Sequence, residues 1–380
     1  MPKRPLALQI VFLTGLRLVF NTAQRFVYPF LPAIARGLGV SLGQAGIIVS
    51  ARWMVGLAAP GVVALVGRGE RRLRLAAFGA LMLVVGASVT AATGVFWGAL
   101  VGFVLFGIAK PAFDIAAQSY IADRTPYERR ARALSVLEMT WAGGLLVGAP
   151  LAGWLIDRGG WRAPFWAIAV GGAVGLMAMV FVLDRDEPDA STAPTKINID
   201  AAAVSFLVVV GLFTIAAELM FVAFGAWLEN SFGLSLVALG GTAVIVGLAE
   251  IVGEGSVFAF GDRIGKRRAM SIGLMISAGG FLALAFLQDS YALGIAALAL
   301  GLAGFEFAIV ISIPLGTEIR PMQRAGFLSL MVASMSLARA VGALAGPVMF
   351  ETWGLSANAV AAASLNLAAI WMLRTTVRVH

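Results

Sequence analysis

The chain contains 380 residues, of which 60% are apolar and only 13% are charged, and its mean hydropathy is +0.92. A soluble domain is closer to half apolar and one quarter charged, so a soluble core cannot bury this composition. The sequence therefore predicts a multi-pass membrane protein and excludes a soluble enzyme and a nucleic-acid-binding module. The net charge of +8 is then expected in loops that hold the cytoplasmic side of a bilayer.

The chemistry available to the chain is restricted further by two residue types. There is no cysteine, and the one histidine is the terminal His380. Thiolate chemistry and a metal site built from histidine or cysteine are therefore excluded within the membrane. The sequence has no phosphate-binding loop of the Gly-x-x-x-x-Gly-Lys-Ser/Thr type, which argues against an ATP-driven pump. We expect no metal and no cofactor.

Taken in chain order, twelve apolar segments are long enough to cross a bilayer as helices. The first carries Arg17 and Arg25 and lacks a small-residue cleavage site, so we interpret it as a span that is not removed as a signal peptide. The predicted spans are residues 6–30, 42–66, 75–95, 97–121, 133–156, 164–183, 202–228, 236–260, 268–287, 291–316, 326–350 and 355–373.

The loops between these segments alternate sharply in positive charge. With the N-terminus in the cytoplasm, 20 of the 28 Lys and Arg residues fall in cytoplasmic segments, and only Arg36, Arg158 and Arg162 fall in outer loops. Because Lys and Arg favour the cytoplasmic side, both termini are predicted to be cytoplasmic, in the inner membrane of the cell. The protein is expected to act as a monomer.

The chain divides into two halves that resemble each other. The polar stretch 184–201 separates an N-terminal half, 1–183, from a C-terminal half, 202–380, and is interpreted as a cytoplasmic linker. A pattern in span 5 recurs in span 11: Gly144, Gly148 and Pro150, then Gly342, Gly346 and Pro347. Two such halves predict an all-α membrane protein with twelve transmembrane helices in two pseudo-symmetric six-helix bundles, which face each other across a central cavity.

Loop motifs then connect the chain to a family. Residues 261–268 read Gly-Asp-Arg-Ile-Gly-Lys-Arg-Arg, the loop after span 4 carries Arg129 and Arg130, and span 5 contains Gly148-Ala-Pro150. These motifs resemble those of the major facilitator superfamily, over essentially the whole chain. The resemblance implies the fold predicted above and a secondary transporter whose two halves rock against each other. The span-5 motif is associated with exporters.

The same resemblance implies which residues act as gates. In that family the loop aspartate, here Asp262, caps a helix of the opposite half and holds the cytoplasmic side closed. The residues with an implied gating role are Asp262, Arg263, Gly265, Arg267, Arg268, Arg129, Arg130, Gly144, Gly148, Pro150, Gly342, Gly346 and Pro347. Two alternatives stay open: the glycines only pack helices, and Asp262 is a solvated loop charge.

Polar side chains inside the spans indicate a binding cavity. Eleven are ionisable, each costing roughly 2.5–3.5 kcal/mol to insert, and those of the two halves sum to +2 and −3. Polar faces on spans 1 and 4 must point away from lipid, so we predict that they form a cavity wall. The predicted substrate-binding residues are Arg17, Asn21, Gln24, Arg25, Lys110, Gln118 and Arg339. The alternatives are buried hydrogen bonds between helices and a Lys110–Asp114 pair that only neutralises itself.

Three carboxylates are predicted to carry protons: Asp114, Glu218 and Glu306. A carboxylate in apolar surroundings takes up a proton more readily than one in water, which proton coupling requires. The alternative for Glu218 and Glu306 is a permanent salt bridge, for example with Arg339. Gating or structural pairing is expected instead for Arg52, Glu138, Glu250 and Glu254. Most of the 24 Phe and 9 Trp residues are expected to face lipid or its interface.

The sequence thus predicts a proton-coupled exporter of a small organic or amphipathic compound, which works by alternating access. Its partners would be that substrate and the lipid bilayer, with the proton gradient as the driving force and no nucleic acid involved. Uptake of an anionic or zwitterionic metabolite, by symport or facilitated diffusion, is one alternative. A lipid flippase and a non-transporting membrane receptor on the same fold are others, because fold alone does not decide function.

Overall fold

The computed structural model describes residues 4–58, 72–184, 199–320 and 322–376, except for the side chains at 131, 258–262 and 325. Within these ranges the chain forms helices joined by short turns and contains no strand. Eleven of the described helices are long and apolar enough to cross a membrane, judged by length and composition. The predicted all-helical membrane fold is confirmed.

Seven helices make up the described part of the N-terminal half. They are α1 (Leu6–Arg25), α2 (Val27–Leu38), α3 (Leu42–Met54), α4 (Arg72–Thr93), α5 (Phe96–Arg124), α6 (Tyr127–Gly159) and α7 (Ala163–Val182). The first predicted span comprises α1 and α2, which are interrupted only at Phe26, so it continues past the predicted end at 30. α2 ends at Gly39, whose φ of 67° turns the chain out of the helix. Glycine suits this position because a residue with a Cβ would be strained in this conformation. The second predicted span, 42–66, is described only as far as 58.

The C-terminal half contains one helix for each predicted span. These are α8 (Ala201–Phe232), α9 (Leu236–Ile264), α10 (Lys266–Leu287), α11 (Tyr291–Ile319), α12 (Arg324–Trp353) and α13 (Leu355–Thr375). The side chains of Asp200 and Ser235 accept the backbone N–H groups of Ala203 and Ala238, so they cap α8 and α9. Most of the linker between the halves lies outside the described residues, and the boundary at 184–201 remains a prediction.

The halves meet at one end of the bundle, where α3 packs against α12 and α6 packs against α9. Gly46 of α3 lies against the carbonyl oxygen of Ala343 on α12, and Gly240 of α9 lies against the carbonyl oxygen of Ala149 on α6. Such close approach needs residues without a side chain. We call this the sealed end; the chain turns there at 39–41, 160–162, 233–235 and 354.

Polar contacts between the halves close the same end. The Arg36 guanidinium lies 2.7 Å from the Glu229 carboxylate. The Glu351 carboxylate accepts the backbone N–H groups of Leu42 and Gly43 at 2.8 and 3.2 Å. We call the opposite end the basic end; it carries the turns after α5, α9 and α11. There the first turns of α6 pack on α1 and α5 of their own half.

Candidate functional site

A cavity of about 410 Å³ lies between the halves, on the basic side of these contacts. α12 lines it from Arg339 to Leu328, a length of about 16 Å at 1.5 Å per residue, so it reaches within about one turn of the basic end. The opposite walls come from α1, α3, α5 and α6. Small-molecule sites typically measure about 300–1,000 Å³. The ionisable groups that line the cavity are Arg52, Lys110, Asp114 and Arg339.

Glu218 of α8 is fully buried and ties the halves together beside this cavity. One carboxylate oxygen accepts the Tyr28 hydroxyl at 2.8 Å, and the other accepts a guanidinium N–H of Arg339 at 2.9 Å. The Tyr28 oxygen in turn accepts an N–H of Arg52 at 3.3 Å. Tyr28 and Arg52 belong to the N-terminal half, and Glu218 and Arg339 to the C-terminal half. The salt bridge between Glu218 and Arg339, which was kept as an alternative to proton transfer, is therefore present.

A second buried pair crosses between the halves. Arg25 of α1 and Glu250 of α9 form a salt bridge in which the side chains are only 1% and 0% exposed. The guanidinium of Arg25 also lies 4.4 Å from the ring centroid of Trp141 and 5.3 Å from that of Phe221. These rings supply cation–π attraction in place of lost hydration. Arg25, predicted to bind substrate, is therefore engaged in an ion pair and does not line the cavity.

An ionic network joins α1, α5 and α6 within the N-terminal half. Arg17 contacts Asp114 at 2.9 Å and Glu138 at 3.0 Å, Lys110 pairs with Asp114, and Gln118 donates to Glu138 at 2.8 Å. Two cations and two carboxylates balance in charge. Lys110 and Asp114 line the cavity and pair with each other, but Asp114 also binds Arg17, so this pair is part of a larger network and its predicted roles remain predictions.

The two predicted amide residues of α1 differ in their surroundings. Asn21 donates to the Thr140 hydroxyl at 2.8 Å and does not line the cavity. Gln24 lines the cavity and donates to the Phe106 carbonyl oxygen at 3.3 Å, and its own side-chain oxygen has no partner within the described ranges. Of the polar face predicted on span 1, Gln24 is thus the residue that reaches the cavity.

Glu306 of α11 stands apart from the other predicted proton carriers. It is 3% exposed and packs against Gly253 of α9, within the C-terminal half. Among the described residues, no hydrogen bond or salt bridge reaches its carboxylate. Asp114 and Glu218 are held by cations, whereas Glu306 is not.

The span-5 and span-11 glycines pack inside each half. Gly144 and Gly148 lie against α1, in a π-helical turn of α6, and Gly342 and Gly346 lie against α8. This packing matches the alternative kept for the glycines, and their gating role remains a prediction.

The prolines of the same motifs lie between the halves. Pro150 contacts Gly240 of α9, and Pro347 contacts Gly46 of α3. Because the two contacts relate corresponding helices of the two halves, they reproduce the predicted pseudo-symmetry. A movement of one half against the other would therefore change the contacts of these prolines.

The remaining predicted gating residues lie at the basic end. Arg267 donates to the carbonyl oxygens of Leu373 and Arg374, at the end of α13 in its own half. Gly265, with a φ of 83°, forms the turn between α9 and α10. Arg129, Arg263 and Arg268 are exposed, and Arg130 lies over the ring of Tyr127. The Asp262 side chain lies outside the described residues, so its capping role remains a prediction.

Sequence reasoning missed the aromatic part of the site. Trp53 and Trp141 line the cavity, and the guanidinium groups of Arg52 and Arg339 lie 4.9 and 5.0 Å from the Trp53 ring centroid. The expectation that aromatic residues mostly face lipid is wrong for phenylalanine, because more than half of these side chains are buried. The usable signal was position: Trp53 directly follows an intramembrane arginine.

Comparison with known proteins identifies the family. Residues 13–261 match the model of the Major Facilitator Superfamily. The tetracycline resistance protein, class C, of Escherichia coli is 28% identical over 68% of this chain and 69% of its own length. A multi-drug resistance efflux pump PmrA homolog of Lactococcus lactis is 25% identical over 77% of this chain and 76% of its own length.

Two further similarities bear on extent and fold. The uncharacterized MFS-type transporter YwfA of Bacillus subtilis is 26% identical over 43% of this chain, and the match spans only 39% of that relative. The inward open structure of the xylose transporter XylE from E. coli superposes with a TM-score of 0.80 at 15% identity, covering 98% of this chain and 97% of that one. At this identity the likeness shows the fold alone. Since the family model matches well over half of the chain and the fold agrees over nearly all of it, the chain belongs to the Major Facilitator Superfamily of membrane transporters.

Proposed function

We infer that the protein exports a small organic or amphipathic compound across the bacterial inner membrane in exchange for protons. The observation that carries this proposal is the cavity between the halves, about 410 Å³ in volume, walled by Trp53, Trp141 and apolar side chains of α12. Relatives whose names state tetracycline resistance and multi-drug efflux support export of compounds of this kind.

The distribution of arginine supports an orientation. The basic end carries the turns rich in Lys and Arg, which favour the cytoplasm, so both termini would be cytoplasmic. The cavity then lies on the cytoplasmic side of the sealed end, ready to receive a substrate from within the cell. Alternating access requires the contacts of the sealed end to separate while the basic end closes.

Two carboxylates are suited to couple this movement to protons. Protonation of Glu218 would remove the charge that Tyr28 and Arg339 share, and would loosen a connection between the halves. Glu306 has no described partner, so it can exchange a proton without breaking a salt bridge. Asp114 is held by both Arg17 and Lys110, which makes it the least suited of the three predicted carriers.

The test is transport in liposomes that enclose a pH-sensitive dye. A proton gradient is imposed, and a panel of organic cations, anions and neutral drug-like compounds is added one at a time. We expect substrate-dependent proton movement opposite to the substrate, lost in Glu306→Gln or Glu218→Gln. The matched control is Glu318→Gln, a carboxylate at the basic end that pairs with Lys266 outside the cavity and should leave transport unchanged. Substrate flux without proton movement would refute the coupling.

One observation favours the alternative of anion uptake by symport. Of the four ionisable groups that line the cavity in the described structure, Arg52, Lys110 and Arg339 are cations, and Asp114 alone is a carboxylate. The same liposome experiment separates the two directions. Protons that move together with an organic anion indicate symport, and protons that move against the substrate indicate export.

A further inference from the structure

Arg52 has an unusual position for a buried cation. It lies on α3, is 1% exposed and lines the cavity. Its two terminal nitrogens donate to the Gln24 carbonyl oxygen at 2.7 Å and to the Tyr28 hydroxyl at 3.3 Å, and its Nε has no hydrogen-bond partner in the described part of the chain. Both partners are neutral. Among the described residues, no carboxylate lies within salt-bridge distance of this guanidinium, so the structural pairing expected as one of its two roles is absent there, and a gating role remains a prediction.

Among the cations that line the cavity, Arg52 is the one that no described carboxylate contacts directly. Arg25 is matched by Glu250, and the two cations of the Arg17 network are matched by two carboxylates. Glu218 is shared between Arg339, which it pairs directly, and Arg52, which it reaches only through Tyr28. The hydrogen-bonded group of Arg52, Tyr28, Glu218 and Arg339 therefore sums to a charge of +1, while Glu306, a buried carboxylate without a described partner, lies outside this group. A buried charge without a partner is unfavourable, so this group is stabilised by any anion that enters the cavity.

The neighbouring polar atoms match such an anion. The indole N–H of Trp53 is buried and meets no acceptor among the described residues, and it belongs to the residue next to Arg52. Two unsatisfied donors, Arg52 Nε and Trp53 Nε1, thus belong to adjacent residues that both line the cavity; both atoms are themselves buried, so a ligand reaches them when the side chains turn toward the cavity. Carboxylate and sulfonate groups offer two acceptor oxygens to adjacent donors. The side-chain oxygen of Gln24 is an unsatisfied acceptor on the same cavity and suits a hydroxyl or amide N–H of the substrate.

The rest of the cavity suits an apolar, flat body. The rings of Trp53 and Trp141 form part of the wall, and Val332 and Met335 of α12 form another part. Aromatic faces favour offset stacking with a planar ring, and methionine adapts to irregular shapes. The cavity thus combines one cationic corner with aromatic and aliphatic walls.

We propose that the cavity binds an organic monoanion, whose carboxylate or sulfonate group contacts Arg52 and the indole N–H of Trp53 and whose aromatic body lies between the tryptophans and α12. This proposal names the substrate class of the proposed function, and it rests on that function in one respect, namely that the cavity is the substrate site. The proposal does not depend on the direction of transport. An organic cation in the cavity would be repelled by the positive charges of Arg52, Arg339 and Lys110. An anion is also the charge type that an inside-negative membrane potential drives outward.

The test is calorimetric binding to the purified full-length protein in nanodiscs, with three probes of equal size. These are 2-naphthoate, its neutral amide 2-naphthamide, and the cation 2-naphthylmethylammonium. We expect the carboxylate to bind at least about tenfold more tightly than the amide, because hydrogen bonds to a charged group are the stronger ones. The ammonium probe is expected to bind no more tightly than the amide.

Variants locate the effect. Arg52→Gln should reduce the preference for carboxylate over amide to about twofold or less, and Arg52→Lys should retain part of it. The control is Arg158→Gln, an exposed arginine that lies over the ring of Trp154 away from the cavity, and it should leave the preference unchanged. If Arg52→Gln does not fold, Trp53→Phe removes one donor but keeps a ring, and should weaken the carboxylate several-fold while sparing the amide.

Several results overturn the proposal: an amide or ammonium probe that binds as tightly as the carboxylate, an unchanged preference in folded Arg52→Gln, or no carboxylate binding to the folded protein. The outcome is separate from that of the transport experiment. Arg52-dependent carboxylate binding without proton-coupled flux would leave this inference standing and refute the proposed exporter. Proton-coupled export of compounds that bind independently of Arg52 would support the proposed exporter and refute this inference.

Discussion

The contact of Glu351 with α3 offers a sharp test of how the sealed end is held. Glu351 lies near the end of α12, in the C-terminal half, and its two carboxylate oxygens accept the N–H groups of Leu42 and Gly43 at 2.8 and 3.2 Å. These N–H groups belong to the first turn of α3, where no helical carbonyl is available to them. One half therefore caps a helix of the other. The contact can exist only while the sealed end is closed.

The size of the effect expected for Glu351→Gln follows from the geometry of this cap. A side chain that caps a helix N-terminus contributes about 0.5–2 kcal/mol, and a negative charge there adds about 0.3–1 kcal/mol. Glu351→Gln removes the charge and replaces one acceptor oxygen by an NH₂ group that cannot accept. We therefore expect the closed state to lose about 1–2 kcal/mol relative to the state open at this end. That loss changes the ratio of the two populations by about 5- to 30-fold.

The assay is a distance measurement across the sealed end. Because the chain has no cysteine, Asp157→Cys and Asp289→Cys place two spin labels on exposed positions of opposite halves without further changes. Glu351→Gln should increase the population with the longer distance. The control is Glu229→Gln at the same end, because its partner Arg36 is 60% exposed and such pairs contribute about 0–1 kcal/mol. A shift no larger than that of the control would refute the reasoning.

Three further outcomes are expected. Glu250→Gln leaves Arg25 buried without its counter-charge and should lower the free energy of unfolding by about 3–5 kcal/mol. Replacing both Arg25 and Glu250 by Met should largely restore this free energy. A denaturant titration that finds equal losses in the two variants would contradict the reasoning. Gly46→Val should open the sealed end in the spin-label assay, because its Cβ would come within 2.5 Å of a carbonyl oxygen on α12, and an unchanged distance would count against that packing. The Ala203 N–H and the Arg320 guanidinium hold the pKa of Asp200 below its usual range, so the stabilisation that its charge gives is present at neutral pH and lost only below about pH 4. Asp200→Asn keeps an oxygen that can cap α8 but removes the charge, so it should differ from the wild type in thermal unfolding at pH 7 and converge with it in acid.

Part of the candidate site was predictable from single residues. Any ionisable side chain in an apolar span must face other protein or a cavity, so Lys110, Asp114, Glu218 and Arg339 were identified without a structure. Their partners were not, because Glu218 meets Tyr28 190 positions away along the chain. Arg52 is recognisable in the sequence as an intramembrane charge, for which gating or structural pairing is expected, but the lack of a described carboxylate partner depends on its neighbours in space.

The sequence by itself determined the helical fold, the position of the C-terminal spans and the pseudo-symmetry of the halves. In lipid, every backbone N–H and C=O must form its hydrogen bond within its own helix. A spanning helix can therefore be recognised from about 20 consecutive residues, without knowledge of its neighbours in space. Only the tertiary structure decided which intramembrane cations contact a carboxylate directly and which one does not. The Arg25–Glu250 pair joins residues 225 positions apart, and Arg52 was left facing the cavity. Such pairings depend on helix rotation and on the close approach at glycines such as Gly46, which hydropathy along the chain does not encode.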